Sequence, residues 1–496
     1  MTSKNDFFKH IIDGYTFKGE SITLGAATLN TETLTNCFVK VPLKTMNRHG
    51  LIAGATGTGK TKTLQVLAEN LSEKGVPVLL MDIKGDLSGL AKPSPGHLKI
   101  DERQNAIGLP FNPKSFPVEI LSLSEQNGVR LRATVSEFDP ILISRILNLT
   151  DTQAGIVAVI FKYCDDQQMP LLDLKDFKSV LNFATNEGKD QFQNEYGRIS
   201  KASTGSILRK IIELEQQGAD LFFGEKSFDV NDLIRNNKKE EGYINIIRLD
   251  DIQDRPKLFS TFMLSLLAEL YETLPEEGDL SQPKLVLFID EAHLVFSETS
   301  KVLLHQIEHT IKLIRSKGVG VYFVTQNPED IPNNVLGQLG LKIQHSLRAF
   351  TAKDRKAIKL TAQNYPETEF FDIENTLTSM GIGEALVTAL DNKGRPTPLT
   401  STLLQAPKSR MDILNPVELK SLLENSKLVL KYNELIDRNS AYEILTTKIK
   451  SISQTQTEAP QRKSSKSKSQ RQNPIVKMLT SATFIRAVFG ILKKVI

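Results

Sequence analysis

The chain has 496 residues, of which 40% are hydrophobic and 24% are charged, and its net charge is +4. This length predicts two or three folded units, and the distant cysteines Cys37 and Cys164 argue against a disulfide framework or a zinc site. Because the sequence shows neither the core of a signal peptide nor a run of about 18 apolar residues, we expect a cytoplasmic protein without a membrane span.

An α/β pattern begins after residues 1–48, a segment predicted to be short and β-rich, with a hairpin turn at Gly19. The stretches GLIAG and VPVLLMD read as apolar strands, and the helical spacing between them ends at Gly75. GYINIIRLD, PKLVLFIDEAH and GVGVYFVTQ add three more apolar strands, the second and third each preceded by an amphipathic helix. This alternation predicts a mainly parallel sheet covered on both faces by helices.

The predicted core occupies residues 49–100 and 242–404 and ends in a hairpin with its turn at Asn392–Gly394. Residues 101–241 have mostly helical spacing and are predicted to form a large helical insertion. A helical extension is predicted for residues 405–450.

The C-terminal part has a different composition. Residues 451–472 are rich in Ser, Gln and Lys and predict a disordered linker. Its basic run, residues 462–471, suits either nonspecific contact with nucleic-acid phosphates or a solubilising linker. Residues 473–496 have the spacing of an amphipathic helix, which could dock on the protein's own assembly or a partner, lie on an anionic membrane, or be a disordered end.

One motif carries the clearest chemistry. GATGTGKT fits the phosphate-loop pattern G-x-x-x-x-G-K-[ST], with an apolar strand before it and a helix after it. In such a loop the backbone N–H groups surround phosphate oxygens, the lysine reaches the β- and γ-phosphates, and the hydroxyl after it ligates Mg²⁺. The predicted nucleotide-binding residues are Gly54, Ala55, Thr56, Gly57, Thr58, Gly59, Lys60, Thr61 and Thr63, with Thr61 also a metal ligand.

An acidic pair follows the strand in KLVLFIDEAH. Asp290 is predicted to hold Mg²⁺ through water, and Glu291 to accept a proton from the attacking water. The alternative is that two adjacent acids end a strand in solvent. A carboxylate directly after the metal-binding aspartate favours hydrolysis over nucleotide storage.

Further candidates follow other strands or helices. Gln326 could reach the γ-phosphate or the lytic water, or could merely cap its strand. Asp82 could support Mg²⁺ or be a solvated strand end. Arg315 and Arg348 compete as the arginine that neutralises transition-state charge, in the same subunit or a neighbouring one, although basic residues also suit helix ends.

The stretches HGLIAGATGTGKT, MDIKGDLSG, LFIDEAH and IRSKGVGVYFVTQNPEDIPNNVLGQLG resemble the HerA-like ATPases, within the HerA/FtsK group of RecA-type motors. The similarity covers about residues 10–410 and, more weakly, the C-terminal helix, and it is greatest to a bacterial branch of the group. It implies a RecA-like core in which the YFVTQ strand lies between the phosphate-loop and LFIDEAH strands. It also implies a hexameric ring with ATP sites between subunits that moves duplex DNA without sequence preference. By position, Gln326 is then the sensor and Arg315 the interface arginine.

Two features limit this resemblance. Archaeal HerA proteins carry an N-terminal β-barrel that docks a nuclease, and residues 1–48 are too few for such a barrel, so a nuclease partner is doubtful for this chain. The letters DEAH also occur in a helicase class with two cores in one chain, but no second core follows Gln326, and His293 reads as a helix start. With one core, the arginine must come from another subunit.

The sequence is least informative about how the chain would contact DNA. Lys201, Arg209 and Lys210 could face a pore or form a solvated helix face. The predicted function is an Mg²⁺-dependent ATPase that moves on DNA. The alternative is a nucleotide-switched assembly or scaffold protein, which the last helix could associate with a membrane. A small-molecule kinase is disfavoured because no lid or acceptor pocket is evident.

Overall fold

The structure is a computed structural model that describes residues 4–278, 280–297, 301–434, 436 and 438–457. The chain divides into two compact units, Met1–Thr446 and Thr447–Ile496. Nearly all of the described residues belong to the first unit. In the second, the described part is the end of one helix.

The first unit is built on a 12-stranded sheet with the order β2-β1-β12-β11-β10-β3-β9-β8-β4-β7-β5-β6. The strands from β10 to β6 in this order are parallel, and the other four add antiparallel pairs at one side. The strands are β1 (Ser21–Leu29), β2 (Glu32–Pro42), β3 (Gly50–Ala53), β4 (Val78–Asp82), β5 (Val118–Ser122), β6 (Val129–Arg130), β7 (Ile244–Arg248), β8 (Leu285–Ile289), β9 (Val319–Thr325), β10 (Leu341–His345), β11 (Glu384–Thr388) and β12 (Thr400–Leu404).

The central strands confirm the predicted α/β fold. Residues of β3, β4, β8 and β9 are buried throughout, as expected for parallel strands covered on both faces. β9 lies between β3 and β8, with Ile52 opposite Val324 and Phe288 opposite Tyr322. The carboxyl ends of these strands therefore meet at one edge of the sheet, where α/β proteins bind ligands.

The N-terminal segment differs from the prediction. Its hairpin joins β1 to β2 through Asn30 and Thr31, which have φ values of 50° and 66°, whereas Gly19 precedes β1. A two-residue turn of this hand needs positive φ at both positions, which Asn tolerates better than most residues. Because β1 pairs with β12, opposing Ala26 to Leu403, the segment extends the main sheet.

The helices cover the sheet and form the insertion. They are α1 (Lys4–Gly14), α2 (Lys60–Glu73), α3 (Leu98–Ile107), α4 (Pro140–Ile146), α5 (Asp151–Asp166), α6 (Leu174–Thr185), α7 (Lys189–Glu195), α8 (Lys201–Gln216), α9 (Pro256–Thr273), α10 (His293–Ser297), α11 (Lys301–Ile314), α12 (Asn333–Leu336), α13 (Ala352–Ala362), α14 (Ile373–Ser379), α15 (Pro416–Glu424), α16 (Lys427–Tyr432) and α17 (Ala441–Thr457). α10 begins at His293, as predicted.

The segment predicted as a helical insertion, residues 101–241, contains α4 to α8 but does not begin as an insertion. Its first part contributes β5 and β6 to the sheet, and β5 pairs with β7 through Ile120 and Ile246. β5 was missed because a polar residue interrupts its apolar run. That residue, Glu119, is buried and accepts a hydrogen bond of 2.6 Å from Ser426 Oγ.

The extension after residue 404 holds α2 in place. Gln65 Nε2 donates to Ser409 Oγ at 2.7 Å, and Ser409 N donates to Glu69 Oε1 at 3.0 Å. Lys62 Nζ donates to the carbonyl of Met411 at 2.6 Å. Burial raises the pKa of Glu69 to about 7. The start of the extension is therefore bonded to the helix that follows the phosphate loop.

The predicted linker begins too early. α17 extends to Thr457, so residues 451–457 are helical rather than disordered. The rest of the linker, its basic run and the predicted helix at residues 473–496 lie outside the described residues. Among the described helices, none combines the length and the apolar character that a membrane crossing requires.

Candidate nucleotide-binding site

The phosphate loop connects the end of β3 to the start of α2. Three of its glycines adopt positive φ: Gly54 at 150°, Gly57 at 80° and Gly59 at 110°. Side chains are strained in this region of backbone conformation. At Gly54 there is also no room, because an added Cβ would lie 2.5 Å from His345 Cβ. At Gly57 an added Cβ would meet nothing within 4 Å, so that part of the loop faces open space.

The loop presents backbone donors. The N–H groups of Gly57, Gly59, Lys60 and Thr61 donate to no acceptor of the described residues. They stand at the N-terminal end of α2, where the helix dipole adds positive partial charge. Such an end binds phosphate readily, so the loop fits the triphosphate of a nucleotide.

Lys60 is folded onto this loop. Its Nζ donates to the carbonyls of Gly54 at 2.7 Å and Ala55 at 3.1 Å. Burial and the charge of Lys84 lower the pKa of Lys60, while the acidic pair opposes this shift. The ammonium group therefore lies in the electrostatic range of the acidic pair, where it could exchange its carbonyl partners for phosphate oxygens.

The acidic pair directly follows β8. Asp290 and Glu291 are only 3% and 7% exposed, so they are not a solvated strand end. Glu291 has a φ of 45°, uncommon for a residue with a side chain, and Ala292 N donates to Val324 O on β9 at 2.9 Å. Burial raises the pKa of Asp290 to about 6. The turn thus holds both carboxyl groups at the same edge of the sheet as the loop.

Lys84, in the loop after β4, is the residue that sequence reasoning missed. Its Nζ lies 2.6 Å from Glu291 Oε1 and 3.8 Å from Asp290 Oδ2. Burial acts to raise the pKa of Glu291, but the ion pair with Lys84 outweighs it and holds that pKa below its ordinary value. Glu291 Oε2 accepts no hydrogen bond from the described residues, although His293 Nδ1 lies 3.3 Å away. One carboxylate oxygen is thus fixed by Lys84, while the other is buried and accepts no hydrogen bond from the described residues.

We expect Lys84→Met to lower the turnover of any ATP hydrolysis by about tenfold, with a smaller change in the Michaelis constant. The substitution leaves two buried carboxylates without their cation, so Glu291 loses its orientation and its pKa rises. The acidic limb of the rate profile should therefore move to higher pH. Steady-state kinetics between about pH 5 and 9 measure both effects. Lys84→Arg, which keeps the charge, should recover part of the turnover, and a faster Lys84→Met enzyme would contradict this role.

Gln326 follows β9 and lies beside the loop. Thr56 Oγ1 donates to Gln326 Oε1 at 3.3 Å. β9 lies between β3 and β8, so its end is placed between the phosphate loop and the acidic pair. The structure therefore places Gln326 beside the phosphate loop, and its role in catalysis stays a prediction.

The two arginine candidates lie at opposite edges of the sheet. Arg348 Nη2 donates to the carbonyl of Thr56 at 3.3 Å, on the rim of the phosphate loop. Arg315 precedes the amino end of β9, where its charge acts on His49 just before β3. The length of β9, about 23 Å at roughly 3.3 Å per residue, separates Arg315 from its own phosphate loop. Arg315 is thus not brought to the site of its own chain.

Comparison with known proteins identifies the family of this chain. A family model described as "Helicase HerA-like C-terminal" matches residues 28–487. The chain belongs to the HerA-like helicase C-terminal family. The DNA double-strand break repair helicase HerA of Sulfolobus acidocaldarius is 24% identical over 358 residues, and that of Sulfurisphaera tokodaii is 25% identical over 359. These alignments cover 71% and 70% of this chain but only 64% of each relative, so the chain spans less than two thirds of the length of these relatives.

Solved structures show the same fold at low sequence identity. The plasmid coupling protein TrwB in complex with ADP and Mg²⁺ matches with a TM-score of 0.52 at 14% identity, covering 82% of this chain and 94% of the other. An unbound form of TrwB matches with a TM-score of 0.51 at 15% identity, covering 82% and 93%. The fold of this HerA-like chain is therefore that of the RecA-like P-loop ATPases.

Other predicted residues of the HerA-like chain have structural roles. Both oxygens of Asp82 accept backbone N–H groups of the next loop, Oδ1 from Gly85 at 2.8 Å and Oδ2 from Leu87 at 3.0 Å. Asp82 is buried, and burial raises its pKa to about 7, so it is not a solvated strand end. Thr63 Oγ1 lies 2.9 Å from His345 Nε2, which ties α2 to β10.

The basic residues of α8 do not form a uniform patch. Lys210 Nζ donates to the carbonyl of Leu147 at 2.9 Å, directly after α4. Lys201 and Arg209 are exposed on the same helix. Lys210 thus serves the packing of the insertion, and a pore role for the other two stays a prediction.

The residues present fit a magnesium ion. Mg²⁺ is commonly bound by one or two carboxylates, water and the phosphates of a nucleotide. Asp290 and the hydroxyl of Thr61 could hold it, and the ion would supply charge to the β- and γ-phosphates. No group of three or more His, Cys, Asp or Glu side chains that could hold a metal ion occurs in the described part of the chain.

Proposed function

We propose that this chain is an ATP-hydrolysing motor that moves on DNA. One observation carries the hydrolysis part of this proposal: the loop with Lys60, the acidic pair and Gln326 lie together at the carboxyl edge of the sheet. A site for nucleotide storage needs only the loop. Here an oriented carboxylate and a neutral amide are added, and these suit the activation of water.

Each of these residues has its own role in the proposed hydrolysis. The loop N–H groups and Lys60 bind the phosphates and stabilise charge that develops on them. Lys84 fixes one oxygen of Glu291, and the other oxygen is the one that accepts the proton of the attacking water. Gln326, held near the loop by Thr56, orients that water.

The position of Arg315 supports a ring with ATP sites between subunits. Arg315 lies at the far edge of the sheet from its own loop, which supports a role at the site of a neighbouring copy. Arg348 already lies at the loop of its own chain. A head-to-tail contact that repeats around a closed ring brings one subunit's amino edge to the next subunit's carboxyl edge.

The proposed polymer is duplex DNA, bound without sequence preference. The proposal is supported by the family, since the aligned relatives are named as DNA double-strand break repair helicases. Contacts with phosphates dominate such binding, so the affinity should fall as salt rises.

The test is ATP hydrolysis with and without linear duplex DNA, at low and at moderate salt. We expect DNA to raise the rate several-fold at low salt and less at moderate salt, because phosphate contacts weaken as counterions compete. A random-sequence duplex and a repetitive duplex should stimulate equally. Arg315→Ala should abolish hydrolysis and yet complement subunits that lack only Lys60. Hydrolysis that is indifferent to DNA, with ATP changing the mass of the assembly instead, would favour the nucleotide-switched scaffold.

A further inference from the structure

The positions of the proposed catalytic groups define how a nucleotide would be oriented in the site. The proposed catalytic groups, Asp290, Glu291 and Gln326, follow β8 and β9 on one side of the phosphate loop. The γ-phosphate must face them. The nucleoside therefore leaves the loop on its other side, where β10 lies next to β3 in the sheet.

Two loops on that side contact the phosphate loop. After β10, Arg348 Nη2 donates to the carbonyl of Thr56 at 3.3 Å. Before β11, Gly383 N donates to the carbonyl of Thr58 at 3.0 Å. The second contact is so close that a Cβ added to Gly59 would lie 3.3 Å from Gly383 N. Both loops are thus next to the place where the nucleoside emerges.

Each loop exposes a large apolar side chain. Phe350, two residues after Arg348, is 79% exposed, and Ile382, directly before Gly383, is 73% exposed. Purine bases bind preferentially against aromatic and aliphatic surfaces, because both faces of the ring are apolar. We propose that Phe350 and Ile382 form the platform for the purine base of the nucleotide, an inference that rests on the proposed ATPase function.

Hydrogen bonds from Arg103 fix the position of Ile382. The guanidinium group of Arg103, on α3, donates to the carbonyls of Ile382 at 2.9 Å, Gly383 at 3.1 Å and Leu404 at 3.1 Å. Three donations from one rigid fork leave this loop little freedom. Arg103 is therefore a positioning residue, and Ile382 is exposed in a set place.

The experiment compares a ligand that has a base with one that does not. We would measure the dissociation constants of the β,γ-imido analogue of ATP and of inorganic tripolyphosphate by calorimetry, with the full chain and Mg²⁺. The Phe350→Ala/Ile382→Ala variant should bind the analogue about tenfold more weakly and tripolyphosphate within twofold of the parent. Val417→Ala/Leu430→Ala removes two side chains that are similarly exposed, 77% and 78%, on α15 and α16. That control should change neither constant.

Three outcomes would overturn the inference. Equal losses for both ligands would mean that the substitutions disturb the phosphate loop. Unchanged affinity for the analogue would show that the base binds elsewhere. A change in the mass of the assembly at constant affinity would assign the two side chains to a contact between subunits. If the parent itself binds neither ligand, the ATPase proposal fails, a result distinct from these three.

Discussion

Glu291→Gln should reduce ATP hydrolysis by about 10²- to 10⁴-fold and leave the binding of ATP nearly unchanged. The amide cannot accept the proton of the attacking water, and general-base catalysis contributes about this factor. Glutamine has the same shape, so the turn with its φ of 45° is not altered further. The measurements are single-turnover hydrolysis and the dissociation constant of ATP.

A matched control is available on the same edge of the sheet. Glu329→Gln removes an exposed carboxylate that follows β9, and it should leave the hydrolysis rate within twofold. If Glu291→Gln kept more than a tenth of the parent rate, another group would be the base. Equal losses of rate and affinity would mean that Glu291 holds the nucleotide rather than the water.

The central half of the fold could be predicted from the sequence because its strands are continuously apolar. The strands β3, β4, β8 and β9 have no charged residue before their carboxyl ends, which is typical of a doubly covered parallel sheet. Two strands that contain buried polar residues, β5 and β10, were missed, although β7 was predicted in spite of its buried Asn245. β10 contains Gln344 and His345, both fully buried, and His345 is kept neutral because burial lowers its pKa to about 4. In β5, Glu119 had the same effect.

Some residues of the candidate site could likewise be predicted from the sequence, and others could not. Residues that belong to a contiguous motif, such as Lys60, Asp290 and Glu291, could be located because spacing along the chain carries the signal. Lys84 could not, since its importance arises from two strands that lie side by side in the sheet, β4 and β8. The signal was a lysine two residues after Asp82, at the carboxyl end of a buried strand. Parallel strands that end together bring such residues into contact whatever their distance in sequence.

Lys60→Ala should weaken the binding of ATP by roughly two orders of magnitude and abolish hydrolysis. Two or three charge-assisted hydrogen bonds to phosphate are lost, about 3 kcal/mol in sum, which equals a factor of roughly 150 in affinity. The loss has a second cause in this chain. Lys60 Nζ also bonds the carbonyls of Gly54 and Ala55, so the empty loop becomes looser and must be ordered again by the nucleotide.

Lys62→Ala is the control for Lys60→Ala. It also removes one lysine from the start of α2, but not one that bonds to the phosphate loop. Lys62 lies two residues further on and donates to the carbonyl of Met411 in the extension instead of to the loop. Its replacement should lower thermal stability slightly and change ATP affinity less than threefold. If the Lys60 and Lys62 variants lost affinity equally, the effect would be one of helix stability or overall charge. A Lys60→Ala protein that still hydrolyses ATP at the parent rate would mean that the phosphate loop is not the nucleotide site.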